Sequence, residues 1–173
     1  MYCEALFRTT LYLQIRTIDS SKKVIIGKVL EANSYWEADS SNIYTAYTME
    51  VICYTKNRDN NEFFDLILPG GVVGEDAQID FPHIHLEIGY EYMVAVTEVD
   101  LYTLNRKHAR SNRPSFRPFS YIQGILPLVN GEYKDYFDTT AIAESVLIDS
   151  IGTITGEQAT EPDGTDWFPR DSF

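Results

Sequence analysis

Two long runs of residues that favour β-structure, joined by one polar turn, constrain the fold of this chain more than any other feature. The first run begins at Val24-Ile25-Ile26 and continues toward Trp36, and the second covers residues 43–55. The turn cluster Ala38-Asp39-Ser40-Ser41-Asn42 separates them. Side chains alternate between two faces of a strand, and one face of the second run carries Tyr47, Met49, Val51 and Cys53. The pattern predicts a long antiparallel hairpin.

Shorter β-rich segments follow the two long runs. Residues 63–68 predict a third strand, which ends at the turn sequence Pro69-Gly70-Gly71, and residues 90–99 predict a fourth. Asn130-Gly131 lies between two further β-rich runs, and an Asn-Gly pair in that context is a strong hairpin signal. We therefore expect five or six strands that are connected mostly by hairpins.

One helix is predicted toward the end of the chain, over about residues 141–151. Thr140 has the side chain of an N-cap, Leu147 and Ile151 follow Ala143 at helical spacing, and Gly152 suits a helix end. Residues 4–21 fit a strand or a helix equally well. Together these patterns predict a mainly β fold, a small antiparallel barrel with one or two flanking helices.

The length of the chain predicts one domain. A chain of 173 residues can bury enough surface to fold without a metal or a disulfide scaffold. We expect a single barrel domain over residues 1–155, including an N-terminal segment and the C-terminal helix. Residues 156–173 are rich in Asp, Glu, Pro, Gly and Thr, and we interpret them as an acidic tail or linker.

The charge of the chain argues against two classes of partner. The formal net charge is −12, whereas binding to nucleic-acid phosphates or to anionic membranes depends on Lys and Arg. No apolar run is long enough to cross a bilayer, so we predict no membrane insertion. No signal peptide is visible; a leader removed before Met1 would be consistent with export.

The order of motifs within residues 20–97 resembles the N-terminal module of large secreted bacterial surface proteins. The resemblance is carried by a strand motif Val24-Ile25-Ile26-Gly27-Lys28-Val29, by Ser34-Tyr35-Trp36, by Gly70-Gly71-Val72-Val73-Gly74 and by Leu86-Glu87-Ile88-Gly89-Tyr90. It implies a secreted or cell-surface location, a place in a longer polypeptide, and a non-catalytic interaction or display role.

The same order is similar to the netrin-like barrel of tissue inhibitors of metalloproteinases, which has an OB-type fold. This resemblance implies an OB- or netrin-like barrel and, as an alternative function, protease inhibition. The chain departs from the inhibitors at Cys3, which is near the N-terminus but not at it. Cys3 and Cys53 form a disulfide if the protein is exported, or else remain two thiols.

His83, His85 and Glu87 are the best candidates for metal ligands. On a strand, alternate residues point to one face, so two imidazoles and a carboxylate would converge there. The other interpretation is a polar, solvent-exposed face, with Ile84, Leu86 and Ile88 toward the core. No nucleophile, zinc-protease or phosphate-loop motif is present in the sequence. We therefore predict a protein that is not an enzyme and needs no cofactor, with this site as the one exception.

Residues 105–118 form an unusually basic segment in an acidic chain. They contain no Asp or Glu and carry five of the 14 basic residues, namely Arg106, Lys107, Arg110, Arg113 and Arg117. One interpretation is a binding patch for an acidic protein partner, a polysaccharide or a neighbouring domain. The other is a surface loop that is held to the acidic body by opposite charge.

Aromatic residues cluster near the predicted first hairpin, at Tyr35, Trp36, Tyr44 and Tyr47. An exposed aromatic platform there would stack on sugars, which makes a carbohydrate-binding or adhesion module a further alternative. The competing interpretation is that these rings pack at the mouth of the barrel.

Overall fold

The computed structural model describes residues 17–100, 102–105, 107–108, 112–134 and 141–169. The strands are β1 Lys23–Trp36, β2 Ile43–Lys56, β3 Phe63–Pro69, β4 Gly71–Val73, β5 Asp76–Gln78, β6 Glu91–Glu98, β7 Ser115–Pro118, β8 Ile125–Val129, β9 Glu132–Lys134 and β10 Ala141–Ala143. Helix α1 covers Glu144–Thr155, a 3-10 helix covers Tyr121–Gly124, and residues 17–20 are helical. None of the helices in these ranges has the length and apolar character needed to cross a membrane.

Five strands form a ring in the order β1-β2-β3-β7-β6, with β6 returning to pair with β1. Every pairing in the ring is antiparallel except that of β3 with β7, which is parallel. That parallel ladder contains only Asp65↔Ser115 and Leu66↔Phe116, so the ring is only partly closed. A partly open, five-stranded barrel is the architecture of OB-type folds. The predicted mainly β barrel is therefore confirmed, although its sheet is mixed rather than wholly antiparallel.

A β-bulge in β2 corrects the predicted strand faces. Ile26 pairs with Cys53 and the adjacent Gly27 pairs with Val51, which leaves Ile52 as the extra residue. The alternation of side chains therefore reverses at this point. Val51 points into the barrel, as predicted, whereas Cys53 lies outside it, in a second core with Ile26.

The barrel interior is a continuous apolar core. Ile84 and Leu86, from the connection between β5 and β6, are buried in this core. Residues 70–90, which contain β4, β5 and this connection, are called the plug segment below. The main interior side chains from the strands are Ile25, Val29, Tyr47, Met49, Phe64, Leu66, Leu68, Val94 and Val96.

The second core lies between the outside of the barrel and α1. Leu147 and Ile151 are buried there, as the predicted stripe requires, and Ile148 joins them. The predicted boundaries of the helix were wrong, because residues 141–143 pair with β9 as a strand and the helix continues past Gly152 to Thr155. Gly156 adopts the left-handed conformation, with φ 71°, that favours glycine after a helix. Thr140 lies outside the described residues.

Residues 156–169 pack on the barrel and do not form the expected tail. The backbone groups of Thr160 exchange two hydrogen bonds with Tyr54 of β2, at 2.7 and 2.9 Å. The Arg58 guanidinium donates to the carbonyl oxygens of Glu161 and Pro162. The expectation failed because backbone hydrogen bonds can hold a segment whose composition is typical of loops. Residues 170–173 lie outside the described part of the chain.

We predict that Gly71→Ala lowers the free energy of unfolding by about 3 kcal/mol, because an added Cβ would collide with the hydroxyls of Ser34 and Thr45 at a φ of +141°. Gly74→Ala is the matched control, since its φ is +65° but no atom lies within 4 Å of the added Cβ. It should cost only about 1 kcal/mol. Denaturant unfolding measures both, and equal losses would contradict the close packing at Gly71.

Candidate functional site

Residues 99–114 connect β6 to β7, and the described residues Leu104, His108 and Arg113 contact the outer face of β2 and β3. Leu104 from this connection is buried against Tyr44, Ala46 and Ile67. Even-numbered residues at the start of β2 face outward, because the odd-numbered Tyr47 and Met49 fill the barrel interior. The connection therefore gives β2 a second buried face.

A buried carboxylate holds this connection in place. The side chain of Asp65 in β3 has no exposed surface, and its Oδ2 lies 3.0 Å from Nε2 of His108. Its Oδ1 accepts hydrogen bonds from Nε of Arg113 and from the hydroxyl of Thr48, each at 2.9 Å. His108 and Arg113 come from the connection, whereas Thr48 comes from β2. A charge buried without such donors would be strongly destabilising.

The hydrogen bonds continue from His108 through Tyr44 to the backbone. Because a carboxylate only accepts hydrogen bonds, Nε2 of His108 donates to Asp65. Nδ1 of the same ring lies 3.0 Å from the Tyr44 hydroxyl. That hydroxyl in turn accepts from the backbone N–H of Asn105 at 2.9 Å. Tyr35 stacks on the His108 ring, with centroids 5.3 Å apart and planes 10° apart.

The pKa values of Asp65 and Tyr44 are shifted in opposite directions. Burial would raise the pKa of Asp65, but hydrogen bonds from His108, Arg113 and Thr48 outweigh it, and the pKa is lowered. Burial raises the pKa of Tyr44 to about 12, against a smaller opposing effect of the Asn105 N–H. Asp65 is therefore ionised and Tyr44 protonated, which suits a positioning role. An activated tyrosinate would require the opposite shift at Tyr44.

A cavity of about 380 Å³ opens beside this network, where residues 99, 100, 103 and 104 face the strands β2, β3 and β7. We call it the loop groove. Its walls are largely apolar and include Ile67, Val99, Leu104 and Pro118, and its charged residues are Glu37, Asp100 and Arg117. Tyr44 belongs to the hydrogen-bond network and also lines the groove. Because Leu104 of the connection lines the groove as well, the position of the connection determines the shape of the groove.

The predicted basic residues have different surroundings. Arg113 pairs with Asp65, as expected for a loop held to the body by opposite charge. Arg117 lies on β7, is exposed and lines the loop groove, and Lys107 is also exposed. Arg106 and Arg110 lie outside the described residues. The structure thus assigns one of these cations to fold stability and places another at a cavity.

The aromatic cluster lies largely within the packing of the barrel. Tyr44 and Tyr47 are buried, and Tyr35 and Trp36 are half-buried. One face of Tyr35 is covered by His108, and the Trp36 carbonyl accepts from the Asn105 side chain at 3.0 Å. This arrangement fits packing at the barrel mouth more closely than it fits an open platform.

The structure does not bring His83, His85 and Glu87 together as metal ligands. Within the described residues, no three His, Cys, Asp or Glu side chains are close enough to hold a metal ion. Residues 83–87 do not form the predicted strand, and a turn begins at Glu87, whose carbonyl accepts from the N–H of Tyr90. The turn also leaves Ile88 61% exposed, so its predicted place in the core was wrong, whereas Ile84 and Leu86 are buried.

Cys53 is the one cysteine of the two that lies within the described residues. Cys53 is fully buried in the second core, beside Ile26 and Tyr133. Cys3 lies outside the described residues, and the pairing of the two stays a prediction.

Comparison with protein-family models, with curated proteins and with solved structures finds no match to this chain.

Local sequence patterns indicate Arg113 and Tyr44 as candidate residues but not Asp65 and His108, although one signal for Asp65 is present. Asp65 interrupts the apolar run of residues 63–68, at a position that the strand pairing makes fully buried. A carboxylate in such a run predicts cationic partners from elsewhere in the chain. The nearby basic segment held His108 and Arg113, but no local pattern links them to β3.

We predict that Asp65→Asn lowers the free energy of unfolding by about 3 kcal/mol at pH 7, because it removes the charge that His108 and Arg113 face. The lowered pKa of Asp65 means that its contribution is present above the unfolded value, about 3.9, and is lost as the pH falls through the folded value. The difference between the two proteins should therefore begin to shrink as the pH falls below about 4, and it should vanish only below the folded pKa.

Asp39→Asn is the control for this pH titration. Asp39 also has a lowered pKa, caused mainly by hydrogen bonds from Ser41, but its carboxylate is exposed. Chemical denaturation from pH 2 to 8 should give this variant the same pH dependence as the wild type, because solvent screens an exposed carboxylate. A constant difference between wild type and Asp65→Asn across that range would contradict an ionised, paired Asp65.

Proposed function

We propose that this chain is a non-catalytic interaction module that binds a protein partner in the loop groove. The observation that carries the proposal is the combination of an open cavity with a wall that is locked by the Asp65 network. A wall held by buried hydrogen bonds loses little conformational entropy when a partner binds. Such preorganisation is a main determinant of affinity.

The chemistry of the loop groove favours a peptide or protein side chain as its occupant. Its apolar walls suit an aliphatic or aromatic anchor, because interfaces draw most of their affinity from a few such side chains in desolvated pockets. Glu37, Asp100 and Arg117 offer charged contacts of both signs. They would orient the backbone and polar side chains that flank the anchor.

The setting of the module is proposed from the sequence resemblance. A secreted bacterial surface protein with further domains would use such a module for interaction or display. The carbohydrate-binding alternative has weaker support, because His108 already occupies one face of Tyr35. The netrin-like, protease-inhibiting alternative depends on the N-terminal segment, which lies outside the described residues.

Peptide selection on the full chain tests the proposal. We expect a phage-displayed library to yield peptides with an apolar anchor that bind in the groove. Thr103→Trp should weaken them by at least about tenfold, because Thr103 is exposed and lines the groove. The control is Tyr102→Trp, since Tyr102 is 92% exposed and does not line the groove.

Binding would be measured by calorimetry against the wild type and both variants. Equal affinities for wild type and Tyr102→Trp, together with the loss in Thr103→Trp, would support the groove as the site. Selected peptides that bind Thr103→Trp as tightly as wild type would contradict it.

A further inference from the structure

The plug segment has a composition unlike that of the loop groove. Residues 70–90 contain four carboxylates and no Lys or Arg. Three of the acids, Glu75, Asp76 and Glu87, are exposed, and Asp80 is half-buried. The plug segment is therefore negatively charged, and it contains no Lys or Arg that would offset this charge.

The same segment concentrates exposed apolar side chains. Of the ten large apolar residues exposed in the described part of the chain, five lie within residues 72–90. Phe81 is 99% exposed, Ile79 is 80% exposed and Val72 is 63% exposed, and Ile88 and Tyr90 complete the set. Clusters of exposed apolar residues with polar neighbours commonly mark interaction sites.

A second cavity, of about 270 Å³, lies between the plug segment and the ends of β1, β2 and β3. We call it the plug pocket. Its apolar lining includes Ala32, Leu68, Val72 and Ile84, and it shares only Pro69 with the lining of the loop groove. Gly71 keeps the pocket open, because a side chain there would meet Ser34 and Thr45.

The polar groups of the plug pocket are mostly paired with one another. The hydroxyls of Ser34 and Thr45 lie 2.9 Å apart, and Thr45 also donates to the Gly70 carbonyl at 2.8 Å. The Tyr47 hydroxyl lies 3.3 Å from Nδ1 of His85. Because these groups already have partners, an apolar side chain can enter without leaving them unsatisfied.

We propose that the plug segment is a second docking surface, for a cationic peptide segment of a partner protein that inserts one apolar anchor into the plug pocket. Charge complementarity selects this occupant. Lys and Arg beside the anchor would face Glu75, Asp76 and Glu87. A second copy of the chain would instead oppose acid with acid, in molecules whose net charge is −12 each.

The test uses defined peptides and the full chain labelled with nitrogen-15. The probe is Lys-Lys-Leu-Lys-Lys, and the comparators are Lys-Lys-Ala-Lys-Lys and Glu-Glu-Leu-Glu-Glu. We expect the probe to shift the backbone amide signals of Val72, Ile84 and His85. It should bind at least about tenfold more tightly than either comparator, because each lacks the anchor or the charge.

Matched substitutions locate the site. Val72→Lys places a cation at the rim of the plug pocket and should weaken the probe by at least about tenfold. Val146→Lys makes the same change at a valine of α1 that is 54% exposed, and should leave binding unchanged. Thr103→Trp should also leave it unchanged, which separates this surface from the loop groove.

Three results would overturn the proposal. The first is equal affinity for the Leu and Ala peptides, and the second is a set of shifted signals that spreads over the acidic surface without favouring the plug pocket. The third is self-association of the free chain, seen by sedimentation velocity and abolished by Phe81→Ser, because it would make a second copy the occupant.

Discussion

The buried carboxylate of Asp65 is the constraint on which the rest of this structure depends. Its donors come from β2 and from the connection between β6 and β7, so one charge ties three parts of the chain together. The backbone of Asp65 also begins the parallel ladder to β7 and donates to the Pro114 carbonyl at 2.9 Å. The residue that fixes the connection therefore also lies at the weakest closure of the ring.

This anchoring explains how a small barrel can present surfaces of different chemistry. The fixed connection covers the outer face of β2 and β3 and forms the loop groove, which has charges of both signs. The plug segment completes the interior core through Ile84 and Leu86 and leaves its acidic and apolar side chains outside. Interaction specificity would then come from segments whose own folding contacts hold them in place.

The sequence predicted what local patterns determine. The alternation in residues 24–36 and 43–55 indicated the long hairpin, and Asn130-Gly131 indicated the β8–β9 hairpin, where both residues have positive φ. The bulge at Ile52 and the parallel pairing of β3 depend on distant strands. Asp65 and His108 are 43 residues apart, so neither residue has a local signature of their contact. The arrangement of His83, His85 and Glu87 on one strand face is absent, because residues 83–87 do not form the strand that the alternation predicts.

Amide hydrogen exchange of the wild-type chain tests the central claim most directly, namely that buried hydrogen bonds lock the connection between β6 and β7 onto the barrel. The informative probe is the backbone amide of Asn105, which donates to the Tyr44 hydroxyl. We predict that at neutral pH it exchanges as slowly as the hydrogen-bonded amides of β2, because both open only when the barrel opens. Exchange of the Asn105 amide at the rate of an unstructured chain, with β2 still protected, would contradict the account.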